Sequence, residues 1–244
     1  MMNLRGLFGK KEEIPPRCAA VIVAAGSSSR MGSDKLKTVL GGMPVLARTL
    51  LVFQRSELVE EIVVVTRADR LEEVAGLCRE YGVGKVSKVV CGGRTRAESA
   101  LAGVSEVDKS AKLIAIHDAA RPLVTEDVIM RTVYAARDYM AAAPALASTD
   151  TLKAVDEKGF ISGTLDRERV YRMQTPQVFK AELIKGALTK AVADALPVTD
   201  DCAAMERMGV KCRIVLGDED NIKLTTPRDM ILAAAILKDR GEWN

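Results

Sequence analysis

The chain alternates short apolar runs with longer amphipathic stretches. The short runs are rich in valine, isoleucine and alanine and end at polar or turn-forming residues, which is typical of buried strands. The predicted strands are Ala19–Ala25, Glu61–Thr66, Lys85–Val90, Lys112–Ile116 and Cys212–Leu216. The predicted helices are Met43–Arg55, Arg70–Tyr81, Thr95–Val104, Glu126–Met140, Ala181–Ala195 and a last helix capped by Thr226. This alternation predicts a Rossmann-like, three-layer α/β fold, in which a mostly parallel sheet has helices on both faces.

One segment interrupts the alternation of strands and helices. Residues 151–174 show strand-like alternation around the turn Asp156-Glu-Lys-Gly159, and this pattern predicts an inserted β-hairpin. We therefore divide the chain into an irregular lead-in, residues 1–16, and a single domain, residues 17–244, with an inserted arm over about residues 150–175. A hairpin alone is marginally stable in water, so the arm is expected to pack on a partner surface.

Composition narrows the range of partners. The chain has 244 residues, a net charge of +3 and an aromatic content of 4%, which does not favour nucleic-acid binding. No apolar run approaches the length of a membrane span, and residues 1–16 lack the apolar core of a signal peptide. The five cysteines are scattered and there is one histidine, so we expect no zinc site and a reducing, cytoplasmic location.

The loop after the first predicted strand has the strongest chemical signal. The strand ends at Gly26 in a serine-rich loop, which is followed by Arg30 and Lys37. Free backbone N–H groups beside fixed positive charge suit a polyphosphate, although an ordinary turn with surface cations is an alternative. Spacing excludes a Walker A loop, because five residues separate Gly26 from Gly32 and no lysine follows directly. A dinucleotide-binding fingerprint is excluded because the second required glycine is missing.

Further candidates follow the predicted strand Lys112–Ile116, at the same edge of the sheet. Asp118 could hold Mg²⁺ or orient a substrate hydroxyl, and Arg121 could bind phosphate. An Asp–Arg pair that only pins a turn is the alternative. His117 has no nucleophile motif beside it, so we interpret it as structural.

Two further segments are ambiguous from sequence alone. The glycines Gly92 and Gly93 follow a strand and would let a planar base approach the backbone, with Ser99 able to hydrogen-bond it. A Gly-Gly turn with a capping serine explains them almost as well. Lys223 precedes the last helix and would by itself be interpreted as a surface lysine.

Taken together, these segments resemble one family. The motifs occur in order: Ala24-Ala25-Gly26…Arg30-Met31-Gly32…Lys37, Gly92-Gly93…Arg96…Ser99, His117-Asp118-Ala119-Ala120-Arg121-Pro122, Asp150-Thr151-Leu152-Lys153, Thr175-Pro176-Gln177, Thr199-Asp200-Asp201 and Asn221-Ile222-Lys223. Over about residues 18–240 the chain resembles the 2-C-methyl-D-erythritol 4-phosphate cytidylyltransferases of the non-mevalonate isoprenoid pathway. Seven motifs in this order are specific, whereas each one alone is weak.

The resemblance implies an activity and its partners. Such an enzyme transfers the cytidylyl group of CTP to a sugar-alcohol phosphate, 2-C-methyl-D-erythritol 4-phosphate, and releases pyrophosphate. It implies Mg²⁺ or another divalent cation as cofactor, and a homodimer joined through the inserted arm. The alternatives are a ribitol-5-phosphate cytidylyltransferase and a non-catalytic nucleotide-binding regulator. The regulator is expected to lack the pair Arg30 and Lys37, which this chain has.

The resemblance also implies roles for individual residues. Arg30 and Lys37 match the two transition-state cations. The residues that match the acceptor-positioning group are Arg167, Lys223, Asp118, Arg121 and Thr151, with Asp118 also a candidate metal ligand. The residues that match the nucleotide cradle are Ala24, Ala25, Gly26, Ser28, Gly93, Ser99 and Ala119. Two positions depart from the family pattern: Ser28 stands where glycine is frequent, and Thr38 where glutamine commonly follows the lysine.

Overall fold

The computed structural model describes residues 15–26, 37–195 and 197–243. Its strands are β1 (Cys18–Val23), β2 (Val39–Leu40), β3 (Met43–Pro44), β4 (Val59–Thr66), β5 (Val86–Cys91), β6 (Leu113–Asp118), β7 (Ala141–Ala147), β8 (Lys153–Val155), β9 (Ile161–Thr164), β10 (Tyr171–Met173), β11 (Gln177–Lys180) and β12 (Arg213–Leu216). Its helices are α1 (Val45–Arg55), α2 (Leu71–Glu80), α3 (Arg96–Glu106), α4 (Glu126–Tyr139), α5 (Ala181–Ala193), α6 (Asp201–Arg207) and α7 (Pro227–Asp239). Every predicted strand and helix is confirmed, with ends within two residues of those predicted.

The main sheet is mostly parallel at its centre and antiparallel toward one side. Its strand order is β10-β7-β11-β6-β1-β4-β5, and β12 pairs with β7 off this path. Strand β1 lies between β6 and β4 and runs parallel to both, as β4 does to β5. Strand β11 runs antiparallel to β6 and β7. The predicted α/β class is therefore confirmed.

Helices cover both faces of the sheet, because alternate residues of the central strands face opposite sides. In β1, Ala20 and Ile22 pack into the core beneath α1, α2, α4 and α7, whereas Ala19 and Val21 pack beneath α3, α5 and α6. Burying one such aliphatic side chain contributes about 1.5–3 kcal/mol, so both layers stabilise the central strands. The longest helix of the described chain, α4, has 14 residues. No described helix is long and apolar enough to cross a membrane.

Five described elements of the main domain were not predicted: the two-residue strands β2 and β3, strands β7 and β11, and helix α6. Strand β7 has the sequence Ala-Ala-Ala-Pro-Ala-Leu-Ala, which lacks the β-branched residues that mark strands. Its first residues are nevertheless fully buried, because small side chains suffice between two helical layers. Strand β11 and helix α6 are short, with four and seven residues, and a short element leaves little periodicity to detect.

The inserted arm is a separate hairpin of β8 and β9, joined around Gly159 at φ 84°. The prediction of a hairpin is confirmed, but its predicted extent was too long. Strand β10 returns to the main sheet and pairs with β7, so residues 171–173 belong to the body of the domain. Hydrophobic side chains on the arm are exposed, including Phe160 at 69% and Ile161 at 67%.

Two helical glycines allow a test of how closely α3 packs on the sheet. A methyl group at Gly103 would lie 2.4 Å from Val21 Cγ1 and 2.6 Å from Val65 Cγ2. Gly103→Ala should therefore lower the free energy of unfolding by about 1–3 kcal/mol. A methyl group at Gly76 on α2 would have its nearest neighbour, Arg79 Nη2, 3.9 Å away. Gly76→Ala should therefore raise the free energy of unfolding by about 0.5–1 kcal/mol. Urea unfolding measures both, and a loss of equal size in the two variants would contradict the packing argument.

Candidate active site

The described segments of the predicted site, apart from the arm, meet at one edge of the sheet, where β1, β4, β5 and β6 end. The register of the parallel strands brings Val23 beside Asp118. Hydrogen bonds continue beyond the strand ends, from Ala24 N–H to the Val65 carbonyl at 2.7 Å and from Gly92 N–H to the Thr66 carbonyl at 2.7 Å. In open α/β sheets ligands bind at the carboxyl ends of the strands, so this edge is the expected place for a site.

The loop after β1 is only partly described. Ala24 is buried and Gly26 is the last described residue before residue 37. The predicted roles of Ser28 and Arg30 concern residues outside the described part of the chain. Lys37 is described and half-exposed, and its Nζ lies 2.9 Å from Oε2 of Glu73. An exposed ion pair of this kind is weak, so a ligand with higher charge can compete for the lysine.

The turn between β5 and α3 is packed against the loop after β1. A methyl group at Gly92 would lie 2.7 Å from Ala25 Cβ and 2.8 Å from Ser99 Oγ, so this close approach requires glycine. The buried Ser99 hydroxyl donates to the Thr95 carbonyl at 2.9 Å and accepts from Gly93 N–H at 3.2 Å. Ser99 therefore shapes the turn, which is the structural role that the sequence left open.

Asp118 lies at the centre of a compact group of charges, which we call the Asp118 cluster: Asp118, Arg96, Arg121 and Lys223. Oδ2 of Asp118 is 2.7 Å from Lys223 Nζ and 3.9 Å from Arg121 Nε. Its Oδ1 is 3.3 Å from Arg96 Nη2. Burial alone would raise the pKa of Asp118, but the three cations outweigh it and hold the pKa well below its usual range. Lys223 is thus part of the Asp118 cluster and not an isolated surface lysine.

Arg121 is held rigidly within the Asp118 cluster. Its Nη1 donates to the Asn221 carbonyl at 2.6 Å, and its Nη2 donates to the Met173 carbonyl at 3.4 Å. Arg121 Nε and Asn221 Oδ1 are buried and have no hydrogen-bond partner within the described chain. Buried polar atoms usually have partners, so these two are candidate contacts for a bound ligand.

Arg96 connects the Asp118 cluster to α6. Its guanidinium donates to both carboxylate oxygens of Asp201, each at 2.8 Å. Asp201 is only 1% exposed, and burial raises its pKa, against the opposing effect of Arg96. Neither Arg96 nor Asp201 received a role from the sequence, although both lie in the motifs that carried the resemblance. Their pairing joins residues 105 positions apart, which no local pattern reveals.

Three residues of the predicted site, Ala119, Thr151 and Arg167, do not belong to the Asp118 cluster. Ala119 is buried, and both its backbone groups already have partners, the Val23 carbonyl at 3.1 Å and the Thr49 hydroxyl at 2.8 Å. Thr151 and Arg167 are exposed on the segment that carries the arm. Within the described chain, neither of these two side chains makes a hydrogen bond or ion pair to the Asp118 cluster. The chain by itself therefore does not bring the arm residues into the site.

The interpretation of His117 as structural is supported by its contacts. Its ring is fully buried, with Nδ1 2.9 Å from the Thr175 hydroxyl and Nε2 3.2 Å from the Arg121 carbonyl. The ring centroid lies 4.9 Å from that of Phe53. Burial lowers the pKa of His117 to about 4. The imidazole is therefore neutral at physiological pH and serves to tie the end of β6 to its neighbours.

This depressed pKa predicts a pH dependence of stability. The unfolded imidazole binds a proton below pH 6.5 and the folded one only below about pH 4, so stability is lost as the pH falls between these values. We expect a loss of about 3 kcal/mol across that range. His117→Gln removes the titrating group, so its free energy of unfolding should fall less than that of the wild type between pH 7 and pH 4.5. If the free energy of unfolding fell equally with pH in the variant and the wild type, His117 would not titrate in this way.

A comparison with models of known protein families identifies the family of this chain. The family model described as "IspD: 2-C-methyl-D-erythritol 4-phosphate cytidylyltransferase" matches residues 18–239. The chain belongs to this family. Membership makes it a CTP-dependent nucleotidyltransferase of isoprenoid synthesis and does not favour the ribitol-5-phosphate alternative.

Relatives and solved structures agree with this membership. The 2-C-methyl-D-erythritol 4-phosphate cytidylyltransferase of Caldanaerobacter subterraneus is 43% identical over 223 residues, which cover 90% of this chain and 98% of that protein. That of Geobacter metallireducens is 43% identical over 231 residues, covering 91% and 97%. The crystal structure of 4-diphosphocytidyl-2C-methyl-D-erythritol synthase from Anaerococcus prevotii superposes with a TM-score of 0.82 at 33% identity, covering 91% of this chain and 96% of that one.

The surroundings of Asp118 do not fit a protein-held metal ion in this cytidylyltransferase. Both its carboxylate oxygens contact cations, and a divalent ion there would be repelled by the three positive side chains. Within the described residues, no group of three or more histidine, cysteine, aspartate or glutamate side chains could hold a metal. The role of Asp118 as a metal ligand stays a prediction that its neighbours do not favour. Its role in positioning is the one that its contacts support.

Proposed function

We propose that the protein joins the phosphate of 2-C-methyl-D-erythritol 4-phosphate to the cytidylyl group of CTP at the sheet edge that bears the Asp118 cluster, with release of pyrophosphate. The family match over residues 18–239 carries this proposal. The cluster supports it, because Lys223 and the unpartnered Arg121 Nε can contact a phosphate, and the unpartnered Asn221 Oδ1 can accept from a hydroxyl group.

The proposed reaction does not require a general base. A phosphate monoester has a second pKa of about 6, so the acceptor is largely a dianion at neutral pH and can attack without losing a proton. His117 is buried and hydrogen-bonded on both ring nitrogens, and it does not need to act as a base. The barrier arises from charge repulsion and alignment, which fixed cations and rigid positioning reduce.

We assign the cations to two groups. Lys37, together with Arg30 outside the described residues, stabilises the charge that develops on the α-phosphate and the leaving pyrophosphate. Lys223 and Arg121 orient the acceptor phosphate beside Asp118, which holds Lys223 Nζ at 2.7 Å. A divalent cation enters as the magnesium salt of CTP and is part of the substrate, since the donor set around Asp118 does not provide a cage.

We further propose that the chain functions as a homodimer joined through the arm. The arm exposes Val155, Phe160 and Ile161, and exposed apolar groups of this kind mark interaction surfaces. Arg167 lies just beyond β9 and is exposed, so it would serve the partner's site instead of its own. A cytoplasmic location is proposed because all five cysteines, which lie in the described part, are free thiols.

An acceptor assay tests the proposed function. Pyrophosphate release from magnesium CTP should be rapid with 2-C-methyl-D-erythritol 4-phosphate and slow with ribitol 5-phosphate. UTP should be used less well, because a site that pairs the exocyclic amine leaves polar groups unsatisfied with uracil, at a cost of about 2 kcal/mol or more. Equal rates with both acceptors would contradict the assignment of the substrate.

A further inference from the structure

A buried ion pair with Asp201 holds Arg96 in place beside Asp118. The pair is bidentate, with both N···O distances at 2.8 Å, and Asp201 is almost completely buried. A bidentate pair fixes the orientation of the guanidinium plane as well as its position. The remaining contact of that plane is to Asp118, at 3.3 Å.

The carboxylate of Asp201 is itself held in place by the start of α6. The buried Gln177 Oε1 accepts from the backbone N–H groups of Asp201 and Cys202, each at 3.0 Å. Its Nε2 donates to Asp200 Oδ2 at 2.7 Å, and Asp200 Oδ1 caps the helix by accepting from Ala203 N–H at 2.9 Å. This amide fixes the first turn of α6 to β11, so Asp201 has a rigid support.

A series of ion pairs connects α6 to Lys223, which orients the acceptor phosphate in the proposed function. Asp201 holds Arg96, Arg96 touches one oxygen of Asp118, and Lys223 is bound by the other oxygen at 2.7 Å. Because Asp201 engages both terminal nitrogens of Arg96, the guanidinium shares only one of them with Asp118. The second oxygen of Asp118 thereby stays with Lys223.

We infer that Asp201 and Arg96 are positioning residues for the acceptor phosphate, because they hold Asp118 in the orientation that places Lys223. The inference rests on the proposed function and adds two residues to it. When Asp201 loses its charge, Arg96 is free to pair more fully with Asp118 and to draw that carboxylate away from Lys223. Binding of the acceptor should then suffer more than binding of CTP.

Steady-state kinetics of Asp201→Asn test this inference. We expect the KM for 2-C-methyl-D-erythritol 4-phosphate to rise about tenfold or more, while the KM for CTP changes less than about twofold. Asp201→Glu keeps the charge and should recover part of the loss, whereas Arg96→Lys, which cannot form the bidentate pair, should resemble Asp201→Asn. If Asp201→Asn does not fold, the two conservative variants decide the question by the same two KM values.

A double-mutant cycle and a stability control complete the test. Asp201→Asn and Lys223→Ala act through the same carboxylate, so their combined loss should be smaller than the product of the single losses. Val133→Ala, in the buried face of α4, should lower the melting temperature and leave both KM values unchanged. Unchanged acceptor KM in Asp201→Asn and Arg96→Lys, or multiplicative losses, would overturn the inference. An inactive wild-type enzyme would instead contradict the proposed function.

Discussion

Lys37→Ala is expected to lower kcat by about 10² or more, with a modest change in the KM for CTP. The lysine follows the loop after β1, and in the proposed mechanism it stabilises charge that is largest in the transition state. Its ion pair with Glu73 is exposed and should contribute little to stability. The melting temperature of the variant should therefore equal that of the wild type within experimental error.

Lys88→Ala is the matched control for this experiment. Lys88 Nζ also lies 2.9 Å from a glutamate oxygen, that of Glu106, and its side chain is similarly exposed. It lies on β5 away from the strand ends, so removing it should leave kcat unchanged. If Lys37→Ala turned over as fast as Lys88→Ala, Lys37 would have no role in the chemical step.

Mixing two inactive variants should restore activity if the arm serves the neighbouring subunit. In a closed two-fold dimer, each site would take Lys37 from one chain and Arg167 from the other. Subunits with Lys37→Ala and subunits with Arg167→Ala form mixed dimers with one intact site and one doubly altered site. Random equal mixing makes half of the dimers mixed, so activity should recover to about a quarter of the wild-type value.

The mixing experiment needs independent proof of subunit exchange. Differently tagged chains provide it, because a mixed dimer is retained by both affinity resins in turn. The single variants must first be shown to fold and to be inactive alone. Exchange without recovery would mean that Arg167 acts within its own chain, and a monomeric protein would contradict the proposed assembly.

The sequence predicted the elements whose residues are apolar in a regular pattern, and the site residues that follow them directly. Strands β1 and β6 were found in this way, and Asp118 lies where the parallel register requires. Strand β7 was missed because alanines and Pro144 do not resemble a strand, although they fit between two helical layers. Burial in this case follows from tertiary packing and not from local propensity.

The charge partners of the site could not be predicted for a different reason. The Arg96–Asp201 pair, for example, depends on how α6 packs beside α5 on the same face as α3, and nothing in the two local sequences encodes that distance. The resemblance included both residues in its motifs but assigned no contact between them. For Ser99 the sequence left a ligand contact and a turn role open; the structure shows the hydrogen bonds of the turn, and the nucleotide contact stays a prediction.

The carboxylate of Asp118 acts as an internal counter-ion for the site. Arg96, Arg121 and Lys223 each lie within 4 Å of this carboxylate. If the carboxylate were neutral, the three positive charges would repel each other strongly. With the carboxylate present, the cations keep their arrangement before any substrate arrives, and folding has already overcome their mutual repulsion. In the proposed function, an incoming phosphate meets cations that are already arranged, so its binding free energy is not used to bring like charges together.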